Sequence, residues 1–262
     1  IVKTQKAEEI PALLAAGADE ALLQPQDGRT DKLLPLLNRF PSRTRLCLPS
    51  QCTEETWQTL LGLCREKSIP LCLSSPSQLS AFPGVMAGEG IPVMNGETVD
   101  LLSYIGCESV TLSRELSRQE ILDLPVGKCE MILPVYGRTR LMLLNHCPMR
   151  TAMQLKAGRE NCNLCEMGAG TLNTFLKDRM QAEYPLFPLR LPEGCQIELM
   201  AHRPLLLSGH LIGLEGFSWL LTFTDEDLQT CLSLTAHYAA LQKGASLPCP
   251  PVLGTLGRFE GG

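Results

Sequence analysis

Thr44-Arg45-Leu46-Cys47-Leu48-Pro49, then a helix-patterned stretch from Glu54 to Lys67, then Pro70-Leu71-Cys72-Leu73-Ser74, decide how this chain is read. The two flanking runs are apolar but too short for helices. A strand buried on both faces loses its polar alternation, and parallel strands are usually joined by a crossover helix. The unit is therefore strand, helix, parallel strand.

The same grammar extends in both directions. Upstream lie the strand Ile1-Val2-Lys3-Thr4-Gln5, a helix from Glu8 to Ala16 ended by Gly17, the strand Ala21-Leu22-Leu23-Gln24-Pro25, and a helix from Asp31 to Phe40. Downstream, strands are expected at Gly84 to Ala87, Ile91 to Asn95, Ser109 to Ser113 and Glu130 to Tyr136, with helices at Glu97 to Ile105 and Arg118 to Leu124. Eight candidate strands joined by short helices predict a (β/α)8 TIM-barrel-like domain over residues 1–137, with one helix missing between its fifth and sixth strands. An open doubly wound sheet is the rival, and no GxGxxG turn supports it. Residues 138–241 then form a small cysteine-rich, β-containing C-terminal region. Its β-like runs are Gln196 to Met200, Pro204 to Leu207 and Trp219 to Phe223, and its closing helix runs from Asp225 to Leu241 with Thr224 as the cap. The Gly- and Pro-rich residues 242–262 read as a flexible tail.

Composition narrows the class. A chain of 262 residues that is 44% hydrophobic and 19% charged is of globular type. The net charge of −5 argues against a broadly basic nucleic-acid surface, although Arg138, Arg140, Arg150, Lys156 and Arg159 form a local run with no acid before Glu160. No apolar segment approaches the ~18 residues of a membrane span. The start, without Met or a signal-like segment, reads as the interior of a longer polypeptide whose N-terminal half is missing. Twelve cysteines in a chain with ample core suggest a reducing cytoplasm rather than a disulfide framework. Cys47, Cys72 and Cys129 sit in strand-like runs, where a thiol acts as a small hydrophobe.

The strand-to-helix loops, where barrel chemistry gathers, carry Ser50, Ser74, Asn95, Glu97, Ser113, Arg114 and Glu115, with no HExxH, GxSxG or Cys–His pair. Glu97 and Glu115 read more readily as helix N-terminal carboxylates than as acid/base groups. The sharper signal is Cys162-Asn163-Leu164-Cys165, with Cys147 fifteen residues before it and Cys195 thirty residues after it. Four thiolates suit a 4Fe–4S cluster or a structural zinc.

Around these cysteines the chain resembles a known family. Tyr136-Gly137-Arg138-Thr139-Arg140-Leu141-Met142, His146-Cys147-Pro148, the CxxC, Leu176-Lys177-Asp178-Arg179 and Cys195 follow the order of the collagenase-like peptidase family U-32. Gly17-Ala18-Asp19, Pro92-Val93-Met94-Asn95 and Thr111-Leu112-Ser113-Arg114-Glu115-Leu116 are similar to it as well, so the likeness spans about residues 1–241. It is closest in kind to the C-terminal barrel of the family's long members. The resemblance implies an oxygen-independent hydroxylase of tRNA or 23S rRNA, with prephenate as a co-substrate and a 4Fe–4S cluster on Cys147, Cys162, Cys165 and Cys195. Tyr136, Arg138, Arg140 and His146 are then candidate substrate contacts. The chain departs from the family at Ala201-His202-Arg203-Pro204-Leu205, where an Asn-Ser-x-Pro-Leu run is usual. Two readings compete with the hydroxylase: a collagenase-like protease, and a non-catalytic scaffold module stabilised by metal.

Overall fold

The computed structural model describes residues 1–79, 84–125, 129–154 and 174–260. Strands β1 (Val2–Thr4), β2 (Ala21–Leu23), β3 (Thr44–Cys47), β4 (Leu71–Leu73), β5 (Val85–Ala87), β6 (Cys107–Thr111) and β7 (Glu130–Gly137) pair in sequence order, all parallel. Helices α1 (Ile10–Ala15), α2 (Thr30–Leu37), α3 (Glu54–Glu66), α4 (Pro76–Leu79), α5 (Gly96–Tyr104) and α6 (Arg118–Leu122) alternate with them. The β-strands form a closed eight-stranded parallel barrel, as the βαβ pattern predicts.

The eighth strand does not come from where the sequence reading put it. Ile91 to Asn95 is a connector, not a strand. Ile91 and Val93 are buried, which gives the segment its strand-like look, but Pro92 has no N–H for a ladder and Asn95 turns its side chain to the Thr98 amide (2.9 Å) to cap α5. The ring is closed instead by β13 (Ser218–Thr222), which lies parallel between β7 and β1. Trp219, Leu220 and Leu221 are buried there, and the chain's terminal amine donates to the Trp219 carbonyl at 2.8 Å. Residues 1–137 thus supply seven of the eight strands.

What lies between β7 and β13 is an insertion. Strands β8 (Arg140–Leu144), β9 (Phe175–Lys177), β10 (Glu183–Leu191) and β11 (Gly194–Met200) form an antiparallel sheet in the order β8-β11-β10-β9, with the short helix α7 (Pro148–Ala152) after β8. The two-residue link between β10 and β11 ends at Gly194, whose φ of +141° other residues rarely adopt. Strand β12 (Leu205–Leu206) adds to β7 in the antiparallel sense.

Helix α8 (Leu228–Gln242) closes the fold, and its cap is Asp227, which accepts from the Thr230 amide at 2.7 Å. Thr224, expected as the cap, lies ahead of two carboxylates with other tasks. The terminal segment expected to be a loose tail is partly anchored. The Thr255 and Leu206 main chains pair, the Arg118 amide donates to the Phe259 carbonyl, and the Phe259 ring is buried. Cys47 and Cys72 lie inside β3 and β4 as expected, whereas Cys129 precedes β7 and is half-buried. No helix among the described residues is long and apolar enough to cross a membrane.

Candidate active site at the barrel mouth

A cavity of about 310 Å3 opens at the C-terminal ends of the barrel strands. Residues following every one of the eight strands reach it, including Gln5, Pro25, Pro49, Ser74, Glu89, Arg114, Arg138 and Thr224. The inserted sheet forms its roof through Arg140, Leu143, Leu189, Gln196, Glu198 and Met200. Polar contacts dock that roof. Gln196 donates to the Gln51 carbonyl (2.8 Å), the Gly28 amide donates to the Arg190 carbonyl (2.7 Å), and Glu193 accepts from the Thr53 amide and the Thr56 hydroxyl, both at 2.8 Å.

The centre of the mouth is a charged network. Arg114 donates to Glu89 Oε1 (2.7 Å), to the Gly137 carbonyl (2.7 Å) and to Thr222 Oγ1 (3.4 Å). Lys3 Nζ and the Thr222 hydroxyl both reach Glu89 Oε2 at 3.5 Å. Burial alone would push Glu89 up, but Arg114 and Lys3 prevail and hold its carboxyl down at about 2. Burial likewise works against the Lys3 charge, and Glu89 outweighs it, so the ammonium titrates above its ordinary range. Neither group is a general base near neutrality: one barely holds a proton and the other barely releases it. As fixed charges they suit binding an anionic or strongly polar molecule.

Glu89 is placed by its neighbours. A β-carbon on Gly90 would lie 2.1 Å from the Ser74 carbonyl oxygen, and one on Gly88 would lie 2.6 Å from the Ser74 hydroxyl. Only glycine lets the end of β5 approach β4 this closely. The Gly88-Glu89-Gly90 triplet is the signal that could have found the site, because a carboxylate between two glycines after a strand is seldom a surface ornament. Lys3 carried no such flag in its apolar strand.

The expected substrate contacts divide. Arg138 and Arg140 line the cavity, but each is engaged by an acid. Arg138 forms a two-pronged pair with Asp225 (2.8 and 2.9 Å), and Arg140 meets Glu198 at 3.1 Å, which also accepts from Gln24 at 3.2 Å. Burial would raise Asp225, and the Arg138 guanidinium more than reverses it. Tyr136 is buried, 1% exposed, and its phenol donates to Glu226 at 2.7 Å. Burial first and Glu226 second push that phenol well up. It joins β7 to the segment after β13 and does not line the cavity. His146 is exposed outside it.

Of the four cysteines of the motif, Cys162 and Cys165 lie outside the described residues, as do Lys156 and Arg159. Cys147 and Cys195, forty-eight positions apart, come to the same end of one ladder. Leu144 and Ile197 are register partners, Cys147 lies three residues beyond the first and Cys195 two residues before the second. Both are partly exposed. Gln196 and Glu198 face the cavity, so strand alternation turns Cys195 to the opposite face of β11. A group held there sits at the edge of the roof rather than on the cavity floor. Two soft thiol donors at one sheet end fit an iron–sulfur cluster or zinc as far as the described residues go.

No protein-family model matches this sequence, and no curated protein matches it. Among solved structures, the U32 peptidase Mk0906 is similar at 9% identity and a TM-score of 0.47, over 86% of this chain and 92% of that one.

Proposed function

We propose that this chain is the cluster-bearing barrel of an oxygen-independent hydroxylase resembling the U-32 family, with the barrel mouth as its substrate cavity. The observation that supports the reading is the β8/β11 register, which pairs Leu144 with Ile197 and so brings the chain positions of Cys147 and Cys195 to the same end of the ladder that roofs the cavity. Cys147, Cys162, Cys165 and Cys195 would hold a 4Fe–4S cluster. Such a cluster supplies one-electron chemistry. The chain's own residues bind and orient: Lys3 and Arg114 offer positive charge to a carboxylate such as those of prephenate, and Glu89 keeps both cations in place.

RNA as the substrate rests on the family resemblance. The basic run gives it less support than its sequence suggests, because Arg138 and Arg140 are each already paired with a carboxylate. A cavity of about 310 Å3 is at the small end for ligand pockets, which run from roughly 300 to 1,000 Å3, and suits a single flipped base. The peptidase reading has less to stand on. No histidine lines the cavity among the described residues, and Lys3, held protonated, cannot activate a serine.

Anaerobic purification and reconstitution test the proposal. The expected product is a brown protein with about four irons and four sulfides per chain, and Cys→Ser at any of the four positions should remove the visible absorption. A colourless protein with one tightly held zinc would overturn the cluster and favour the scaffold. If the cluster forms, mass spectrometry of RNA incubated with reduced protein and prephenate decides whether RNA gains an oxygen.

A further inference from the structure

Below the cavity, inside the barrel, three sulfur-bearing side chains stand in a row. Cys47 on β3 is the register partner of Cys72 on β4, and Cys72 is the register partner of Met86 on β5. Register partners on adjacent parallel strands are separated by about 4.8 Å and point to the same face. Here that face is the barrel interior. The three pack into one buried cluster with Leu22, Ile132 and Leu220, which come from β2, β7 and β13 around the ring. Relative exposures of 6%, 3% and 0% place all three sulfurs out of bulk water. Cys47 also borders the cavity, so the row has a route to its mouth. Gly88 belongs to the arrangement too, because a β-carbon there would come within 2.9 Å of Cys72 Sγ.

From this geometry we propose that Cys47, Cys72 and Met86 form a three-sulfur site for a soft monovalent metal ion, Cu(I), at the floor of the barrel cavity. Two thiolates and a thioether presented side by side from three neighbouring strands are the donors such an ion prefers, while hard divalent ions prefer oxygen and zinc prefers four ligands. Binding forms two metal–thiolate bonds and one metal–thioether bond and releases the two thiol protons through the cavity. The product carries one net negative charge, on which the Lys3 ammonium acts favourably and the Glu89 carboxylate, its partner at 3.5 Å, unfavourably. Two buried thiols alone would be ordinary core. The inward-facing thioether in register beside them and the cation at the rim make them a donor set.

The test is an anaerobic Cu(I) titration of the full chain against a chromophoric Cu(I) chelator. Cys147, Cys162, Cys165 and Cys195 would also take up Cu(I), so the decisive background is the full-length chain with those four changed to Ser. The expected result is one Cu(I) retained per chain, lost in Cys47→Ser and in Cys72→Ser, and weakened at least ~ten-fold in Met86→Leu. X-ray absorption should count three sulfurs around the copper, and two in Met86→Leu. That substitution conserves volume, so it decides the matter should either serine variant fail to fold. No retained Cu(I) in the four-serine chain, or an affinity indifferent to Met86→Leu, overturns the proposal. Neither outcome depends on whether the iron–sulfur cluster forms.

Discussion

Replacing Glu89 by Gln probes the mouth most directly, because its carboxylate is where Lys3, Arg114 and Thr222 meet. The folded protein holds this carboxyl at about 2, against an ordinary value of 4.5. At 1.36 kcal/mol per pH unit that fall corresponds to about 3 kcal/mol of stability. The side chain keeps 23% of its exposure, so screening reduces the measurable effect to about 2 kcal/mol near neutrality. The sign follows from linkage. A carboxyl lowered on folding stabilises the native state above its unfolded value and loses that stabilisation as pH falls toward the folded value. The gap in unfolding free energy between wild type and Glu89→Gln should therefore be full at pH 7 and shrink steadily from about pH 4.5 downward. By pH 3 most of it should be gone. Urea titrations followed by circular dichroism at several pH values give the comparison. A gap of constant size from pH 7 to pH 3 would refute the reasoning, since a loss of packing alone is indifferent to pH.

Other parts of the structure give further expectations. Tyr136→Phe removes a phenol that donates to Glu226 at 2.7 Å in a buried setting, and should lower unfolding free energy by about 1–2 kcal/mol in urea denaturation while leaving cavity ligands bound as before. Phe259→Ala should cost about 3 kcal/mol by the same measurement, because the ring is only 4% exposed, whereas a loose tail would give no change. Gly90→Ala should destabilise by at least ~1–3 kcal/mol, as overpacked sites do, since its new methyl would lie 2.1 Å from a backbone oxygen that cannot swing aside. Arg138→Lys keeps the charge but loses the two-pronged contact with Asp225, and should lower thermal stability by a few degrees, read by calorimetry.

The barrel was legible because its evidence is local. Leu71-Cys72-Leu73 or Val85-Met86-Ala87 can only be strands buried on both faces, and the intervening segments carry helical period and caps such as Thr53, whose side chain accepts from the Thr56 amide. Closure was not legible, because it is a pairing across most of the chain. Trp219 to Phe223 reads as β-structure, yet nothing within it reports that its neighbours will be Val2 and Leu133. Ile91 to Asn95 filled the vacancy in the count because buried Ile91 and Val93 imitate a strand, although Pro92 inside it already argued otherwise.

The site was hidden for a related reason. The arginines at 138 and 140 stand out in a sequence because five cations gather there without an acid. Charge balance, however, is struck in space. Asp225 and Glu198 sit 87 and 58 positions away and pair with Arg138 and Arg140. The centre of the mouth is assembled the same way, from Lys3 at one end of the chain, Glu89 and Arg114 in the middle, and Thr222 near the other end, each contributed by a different strand end. A closed parallel barrel makes this unavoidable. Its strands all point one way, so their C-terminal ends meet in a ring, and residues that are remote in sequence become the walls of one cavity. The insertion leaves β7 at the mouth, where its sheet roofs the ring, and the chain then runs back along β7 through antiparallel β12 to enter β13 at the opposite end of the barrel. Gln196 and Glu198 of β11 thereby face the cavity that holds the Lys3–Glu89–Arg114 network, and Cys195 lies on the other face of the same strand.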